Sequence, residues 1–448
     1  MQVSVETTSG LERKMTVEVP SEDIDSAVHE RLQSLSKTAK MNGFRPGKVP
    51  YKVVKKRFEP QVRGEVLGDV INRSFQDAVM QEKLRLAGSP KIEPLDDTTL
   101  ESSSEGFRYT AVFEVYPEFE PRFDASIKVE RPSVDIGEAD IDEVLESLRK
   151  QRTEFSDVER PAANEDQIEI DFTGRVDGEE FEGGKAEKAP LVLGSRSMIE
   201  GFEDQLIGLS SGEDKTITVK FPEAYGAEHL AGKEAEFDIH VHSVKEPRLP
   251  EINEELVKSF GIDDGTLESL RADIEKNMSK ELKQRVDAQV KQQVMDGLLD
   301  LNEVEVPSAL VQQEIGRLKE QLAQQMPPDS APADMPDELF ADEADKRVRL
   351  GLVIGEIVRT KELKPDDADI RQQVESIASS YQDSQQVIDY YYSNRELMQN
   401  VEGLVLEETV TRTVLEQATV TDKPMTFQEI MNPPAAEPET EANKGEQD

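Results

Sequence analysis

A long run of evenly spaced apolar residues between positions 267 and 298 constrains the fold of this chain more than any other feature. The spacing is three and then four throughout, and the residues are Leu267, Leu270, Ile274, Met278, Leu282, Val286, Val290, Val294 and Leu298. This spacing predicts one long amphipathic helix with a narrow, slowly drifting apolar stripe. Because such a stripe covers too little area for a globular core helix, we expect an extended arm that packs on a few neighbours.

The predicted helix belongs to a helical region over 247–432. Further helices are predicted over 337–361, 366–380, 384–393 and 395–418, and Pro307 is placed to begin another one. A proline-rich loop is predicted over 326–336. The acidic residues 433–448 are predicted to form a disordered tail.

The N-terminal half has a different pattern. Strands are predicted over 1–20 and 107–116, with helices over 21–41 and 50–86 between them, which indicates an α+β domain over 1–117. A connecting strand and helix follow over 118–154. Frequent glycines and short β runs then predict a compact β-rich domain over 155–246. The expected fold class is therefore multidomain α+β with an elongated, all-α C-terminal domain, consistent with a length of 448 residues.

Composition narrows the expected location and chemistry. The sequence contains no Cys, so disulfides and Cys-based metal sites are excluded and a reducing compartment is expected. The N-terminus lacks the pattern of a signal peptide, and no long apolar run suggests a membrane span. A cytoplasmic location without membrane partners is therefore expected.

Charge is distributed unevenly along the chain. The formal net charge is −41, yet residues 31–63 contain ten basic residues and a single acid, Glu59. An acidic chain opposes casual binding to nucleic acid, so a basic island indicates a localised docking site. The alternative is an ordinary solvated basic helix face.

Several kinds of chemistry are missing from the sequence. Gly226 and Gly232 are separated by five residues rather than the four of a nucleotide loop, and Glu234 stands where a hydroxyl is required. Neither nucleotide nor another cofactor is expected. His240 and His242 would share one face of a strand and could bind a metal, but solvated outer-face histidines are the preferred interpretation, so no metal is expected.

The β-rich domain carries an ordered set of motifs. It reads IDFTGRVDGEEFEGG, then PLVLGSRSMIEGFEDQLIGLSSGEDKTITVKFPEAYG, then AEFDIHVHSV, and in this order it resembles the FKBP-type peptidyl-prolyl isomerases. The resemblance implies a catalytic proline pocket lined by Phe172, Phe181, Met198, Ile199, Phe202, Tyr225 and Phe237. The alternative is that these aromatic residues only fill a small β core.

The resemblance also implies roles within this pocket. A helix that opens at Met198 would form its floor, with Phe202 under the proline ring. The Ile199 backbone N–H would hold a substrate carbonyl, and the Tyr225 hydroxyl would hydrogen-bond to substrate. The chain departs from the family pattern at Glu182, where Asp is common.

A second signature lies within the basic island. Residues 43–50 read GFRPGKVP, whose glycines and prolines predict an exposed loop. Taken alone, this is either a docking loop or an ordinary helix–helix connection. Together with VRGEVLGDVINRSF, FEVYPEFE, LPEINEELVKSFGIDDGTLESLRADIEKNM and DELFADEADKRVRLGLVIGEIVRTKEL, it resembles the bacterial trigger factor family over nearly the whole chain.

That second resemblance implies partners. It implies docking on the large ribosomal subunit at the tunnel exit, on protein and rRNA, through Gly43, Phe44, Arg45, Gly47 and Lys48. Pro46 stands where a further basic residue is common. The resemblance also implies binding of nascent and unfolded polypeptides without ATP, a weak homodimer, and family roles in protein export and cell division.

The helical region offers candidate client contacts. Apolar residues on its short, polar-rich helices are suited to varied partners, and the candidates are Leu318, Leu322, Met326, Leu339 and Phe340. The alternative for each residue is packing between arm helices. Two other hypotheses remain for the whole chain: a plain isomerase with targeting domains, and an acidic scaffold with a vestigial pocket.

Overall fold

The computed structural model describes residues 1–39, 44, 49–94, 107–227, 229–325, 335–379 and 381–432. The chain forms two compact units. Unit 1 comprises Met1–Arg131 and Ala288–Lys423, and unit 2 comprises Pro132–Asp287 and Pro424–Asp448. The chain therefore leaves unit 1, builds unit 2 and returns. The five-part division predicted from the sequence stays a prediction, because the units group residues by contact rather than by sequence segment.

Unit 1 begins with an antiparallel sheet of order β1-β2-β4-β3. Its strands are β1 (Gln2–Ser9), β2 (Glu12–Val19), β3 (Lys91–Pro94) and β4 (Phe107–Glu114). Two helices share its apolar core, α1 (Ser21–Thr38) and α2 (Tyr51–Gln81). Met15, Leu32 and Tyr109 are fully buried there. The predicted mixture of strands and helices in this region is confirmed, although both helices end earlier than predicted and β3 was not predicted.

The rest of unit 1 is mainly helical. Its helices after residue 301 are α6 (Ser308–Gln325), α7 (Glu338–Lys361), α8 (Asp367–Ala378), α9 (Ser384–Ser393) and α10 (Arg395–Leu415). Side-chain caps explain why the predicted starts are close: Asp366 accepts from the Ala368 N–H, and Asn394 accepts from the Glu396 N–H. Every helix in the described residues is too short or too polar to cross a membrane.

The predicted long helix is α5 (Leu267–Leu301). Its apolar stripe does not drift slowly, as expected from the sequence, because a step of four residues advances the stripe by about 40° around a helix of 3.6 residues per turn. Ile274 is buried in a cluster of unit 2, and Val294 is buried in unit 1, whereas Leu282 and Val286 between them are half-buried. The stripe is therefore buried towards both ends of the helix and only half-buried in its middle.

Unit 2 contains a five-stranded antiparallel sheet. Its strands are β6 (Glu154–Val158), β7 (Gln167–Val176), β8 (Glu179–Val192), β9 (Asp214–Lys220) and β10 (Glu234–Arg248). β10 is central: it pairs with β7 along one edge and with β9 and then β6 along the other. Strands β7, β9 and β10 coincide with the β runs that the sequence predicted, whereas β6 and β8 were not recognised.

Short elements complete the chain. They are β5 (Lys128–Ser133), which pairs with β11 (Thr419–Pro424), and the helices α3 (Glu138–Gln151), α4 (Glu254–Ser259) and α11 (Phe427–Met431). Ile141 and Leu145 of α3 pack with Ile274 and Met278 of α5 in the second core of unit 2. The connecting strand and helix predicted after the N-terminal domain correspond to β5 and α3.

Candidate active site

Four phenylalanine rings meet on the inner face of the unit 2 sheet. Phe172 lies on β7, Phe181 on β8 and Phe237 on β10, and Phe202 comes from the segment between β8 and β9. The ring centroid of Phe237 lies 5.1 Å from that of Phe202, 6.1 Å from Phe172 and 6.0 Å from Phe181. All three pairs are edge-to-face, the arrangement that the aromatic quadrupole favours. Phe237 is thus the hub of the cluster.

Phe202 lies at the bottom of this cluster. It is 0% exposed, whereas Phe172, Phe181, Met198 and Ile199 are half-buried against the same core. The structure therefore brings six of the seven predicted pocket residues into one apolar cluster with a buried base and a partly open rim.

The seventh residue, Tyr225, joins the cluster through Phe221. The Phe221 ring is buried, with its centroid 4.7 Å from that of Tyr225 and 5.7 Å from that of Phe181. Tyr225 itself is exposed. Sequence reasoning missed Phe221; the available signal was an aromatic residue directly after the β9 pattern, next to Pro222.

The helix expected to open at Met198 is absent. Residues 198–203 form turns, and helical hydrogen bonding appears only in the single 3₁₀ turn Asp204–Leu206. Gly201 has φ +81°, a left-handed conformation that cannot continue a right-handed helix. The Phe202 N–H instead donates to the Ile199 carbonyl oxygen at 3.1 Å. A tight turn, not a helix, therefore supports Phe202.

A glycine that the sequence reading missed makes room for the hub ring. A Cβ placed on Gly174 of β7 would lie 2.5 Å from Phe237 Cε1 and 2.9 Å from Phe181 Cε1. Real Cβ contacts are not that short, so any side chain here would displace two rings. The signal available in the sequence was a glycine inside a strand, which often marks a close approach.

The histidines of β10 lie on the outer face of the sheet. His240 Nδ1 is 2.7 Å from Asp214 Oδ1, and His242 Nε2 is 2.8 Å from Asp171 Oδ2. The Lys188 N–H donates to Asp171 Oδ1, and this bond together with the adjacent His242 lowers the pKa of the Asp171 carboxyl. In the described part of the chain no three His, Asp or Glu side chains converge as metal ligands. A groove of about 350 Å³ on this face is lined by Asp171, Thr216 and His240 among others.

Of the predicted docking loop, Phe44 is among the described residues and is 40% exposed. Gly43, Arg45, Gly47 and Lys48 lie outside the described residues. The chain segments on both sides are anchored, because Ala39 and Val49 are buried in the core of the N-terminal domain.

The candidate client residues differ in exposure. Leu339, near the start of α7, is 69% exposed, while Leu318 and Leu322 on α6 are half-buried. Phe340 is half-buried, with Lys319 Nζ 5.9 Å from its ring centroid. Lys319 also donates to the Met335 carbonyl oxygen and to Asp337 Oδ1. Met326 lies outside the described residues.

Three family models match the chain. Residues 1–148 match "Bacterial trigger factor protein (TF)", residues 266–416 match its C-terminus, and residues 158–242 match "FKBP-type peptidyl-prolyl cis-trans isomerase". The fold and the aromatic cluster thus define the class of protein, a chaperone that carries an FKBP-type peptidyl-prolyl isomerase domain.

Relatives identify the family. The chain is 49% identical to the trigger factor of Pseudomonas putida (strain GB-1) over 97% of its own length and 99% of that protein. It is 48% identical to the trigger factor of Stutzerimonas stutzeri (strain A1501), with the same shares covered, and 49% identical to that of Thioalkalivibrio sulfidiphilus (strain HL-EbGR7) over 97% and 98%. The chain belongs to the trigger factor family. It is a chaperone that binds substrate polypeptides, and it has peptidyl-prolyl isomerase activity.

The space at Gly174 generates a prediction. We expect Gly174→Ala to displace the hub ring, since overpacking costs about 1–3 kcal/mol, and to lower kcat/KM on an X-Pro peptide by about tenfold. The measurement is cis/trans exchange of the peptide by two-dimensional exchange NMR. Gly226→Ala is the control, because its added methyl meets no atom within 4 Å. Parental activity in Gly174→Ala would show that the ring arrangement is not needed.

Proposed function

We propose that this chaperone docks on the large ribosomal subunit beside the tunnel exit, holds emerging chains on its helical arms, and isomerises their X-Pro bonds in the pocket around Phe202. It does so without nucleotide, and it works in the cytoplasm, where nascent chains emerge. The observation that carries the proposal is the aromatic cluster: a buried base at Phe202 beneath a partly open rim.

The cluster suits proline isomerisation. Rotation about an X-Pro bond breaks amide resonance across a barrier of about 18–20 kcal/mol, and the uncatalysed event takes tens to hundreds of seconds. The planar amide is more polar than the twisted amide, so a water-poor apolar pocket disfavours the ground state relative to the transition state. The proposed polar contacts are the Ile199 N–H and the Tyr225 hydroxyl, both at the rim.

We expect Phe202→Ala to remove most of the isomerase activity of the full chain while ribosome docking is unchanged. The physical reason is loss of the surface on which the proline ring rests. Since Phe202 is also core, the substitution destabilises unit 2 by about 3–5 kcal/mol, and circular dichroism must first show the temperature range in which the variant stays folded.

The variant Leu206→Ala distinguishes loss of the pocket from loss of core stability. Leu206 is as buried as Phe202 and belongs to the same apolar cluster, but it is not one of the proposed pocket residues. The Leu206→Ala variant should therefore be less stable than the parent but should keep most of its kcat/KM. Equal activity losses in the two variants would count against the pocket assignment.

The burial of the residues on both sides of the loop supports its proposed role in docking. Ala39 and Val49, which flank the segment 40–48, are both buried in one core, and Phe44 is exposed. Phe44 would enter an apolar cleft, while Arg45 and Lys48 would contact phosphates or acidic side chains of the ribosome. The acidic remainder of the chain, with a net charge of −41 overall, would be repelled from RNA.

We expect Phe44→Ala, Arg45→Ala and Lys48→Ala together to abolish co-sedimentation with ribosomes. Binding by the parent should weaken as salt rises, since phosphate contacts release counterions. The charge-matched control is Lys276→Ala with Lys280→Ala, two exposed residues of α5. Undiminished co-sedimentation of the triple variant, or equal loss in the control, would exclude the loop as the docking element.

Client contact is proposed for apolar side chains around the α6–α7 connection, of which Leu339 is largely exposed. We expect Met326→Ala, Leu339→Ala and Phe340→Ala together to weaken suppression of client aggregation more than any single change, because many weak contacts add up over one surface. Light scattering of a refolding client at stoichiometric ratio is the measurement, and ATP should make no difference.

The control is Met80→Ala with Leu249→Ala, two exposed apolar residues elsewhere in the chain. The exposed fraction of Met80, 68%, is nearly the same as that of Leu339. Holding should be unchanged in the control. If the triple variant holds client as well as the parent while Phe202→Ala abolishes protection, the plain-isomerase hypothesis should replace the arm proposal.

A further inference from the structure

Glu203, the residue after Phe202, is a carboxylate inside the isomerase domain. Only 6% of Glu203 is exposed, and no ion pair to its carboxylate occurs among the described residues. A buried charge is very unfavourable unless other groups compensate it. The compensating groups here are backbone N–H groups and hydroxyls of a single loop.

The bonded loop consists of residues 194–198. Glu203 Oε2 accepts from the Gly194 N–H at 2.7 Å and the Arg196 N–H at 3.0 Å. Glu203 Oε1 accepts from the Ser197 N–H at 2.9 Å and the Met198 N–H at 3.2 Å. The Ser195 hydroxyl adds a bond to Oε1 at 3.2 Å. One carboxylate thus spans the whole 194–198 loop.

This loop adopts a backbone that needs external support. Gly194 has φ +87° and Arg196 has φ +56°, both in the left-handed region. A non-glycine residue in this region persists only where its surroundings impose it. A Cβ on Gly194 would also lie 2.2 Å from Asn164 Oδ1. The hydrogen bonds to Glu203 supply the constraint that the loop sequence by itself lacks.

The charge of Glu203 is essential to this arrangement. Burial alone would raise the pKa of Glu203, but hydrogen bonds from the Arg196, Met198 and Gly194 N–H groups and the Ser195 hydroxyl outweigh it and hold the pKa below its ordinary value. The ionised carboxylate therefore persists at neutral pH, where it accepts stronger hydrogen bonds than a neutral group. A glutamine would have the same shape, yet its amide NH₂ would face N–H donors.

We propose that Glu203 is a positioning residue for isomerisation. It fixes the 194–198 loop, and so holds the Met198 side chain and the adjacent Ile199 N–H at the rim above Phe202. The Phe202 N–H donates to the Ile199 carbonyl oxygen. The rim residues, the base residue Phe202 and the positioning residue Glu203 therefore all lie within residues 198–203. The inference rests on the proposed pocket, and it assigns to that pocket a residue that touches no substrate.

The test compares Glu203→Gln with the parent in the full chain. We expect kcat/KM on an X-Pro peptide, measured by exchange NMR, to fall by about tenfold, mainly through kcat, since displaced groups lose near-attack geometry. Hydrogen exchange of the 194–198 amides should speed up, while the amides of β10 stay protected.

Asp166→Asn is the matched control. Asp166 is a buried carboxylate of the same domain, but it bonds Arg160 and the Ala163 N–H instead of the 194–198 loop. The Asp166→Asn variant should be less stable than the parent, but at temperatures where it is folded its kcat/KM should be unchanged. An equal activity loss in Asp166→Asn would show a general structural effect and overturn the proposal.

A milder variant covers the case in which Glu203→Gln does not fold. Ser195→Ala removes one hydroxyl donor and should lower kcat/KM about twofold to threefold, with faster exchange in the loop, by loss of a single hydrogen bond to a charged group. Parental kinetics and exchange in either folded Glu203 or Ser195 variant would overturn the positioning role. If Phe202→Ala is inactive at the same time, the pocket stands and only this inference fails; if Phe202→Ala is also fully active, the pocket itself is wrong.

Discussion

In unit 1, the buried side chain of Asn302 joins the end of α5 to the segment after β4. The buried Asn302 side chain donates to the carbonyl oxygens of Arg122 and Leu298, both at 2.8 Å, and accepts from the Arg122 N–H at 2.7 Å. Asn302 and Arg122 are 180 positions apart in sequence. Since loop-closure entropy grows only slowly with loop length, a few well-made contacts suffice, and the isomerase sheet is built within the intervening chain.

The helices were predictable because their signals are local. Spacing of apolar residues and capping side chains such as Asp366 and Asn394 lie within one or two turns of the elements that they define. The closure through Asn302 was not predictable, because an asparagine after a helix reads as an ordinary end signal. Strand β11 was missed because its partner β5 lies far away in sequence. Strand β3 was missed because its four residues are too few to show a clear alternation.

In the candidate site, too, some residues could be predicted from the sequence and others could not. The order of aromatic motifs located Phe172, Phe202 and Phe237, which the structure brings into contact. Gly174 and Glu203 were missed, because a strand glycine and one carboxylate among many show no through-space role in the sequence. The prediction of a helix that begins at Met198 was wrong, because Gly201 has a left-handed φ. The spacing of apolar residues does not indicate the turn that this conformation produces.

The chain uses apolar side chains in two physically different ways. In the proposed pocket, Phe202 is both the base and part of the core, so the packing that stabilises the sheet also holds this ring in place. On α7, Leu339 is largely exposed and adds little to the core, so the proposed contact with clients does not compete with packing. Because selection for core packing acts on Phe202 but hardly on Leu339, pocket geometry should tolerate less sequence change than the arm surface.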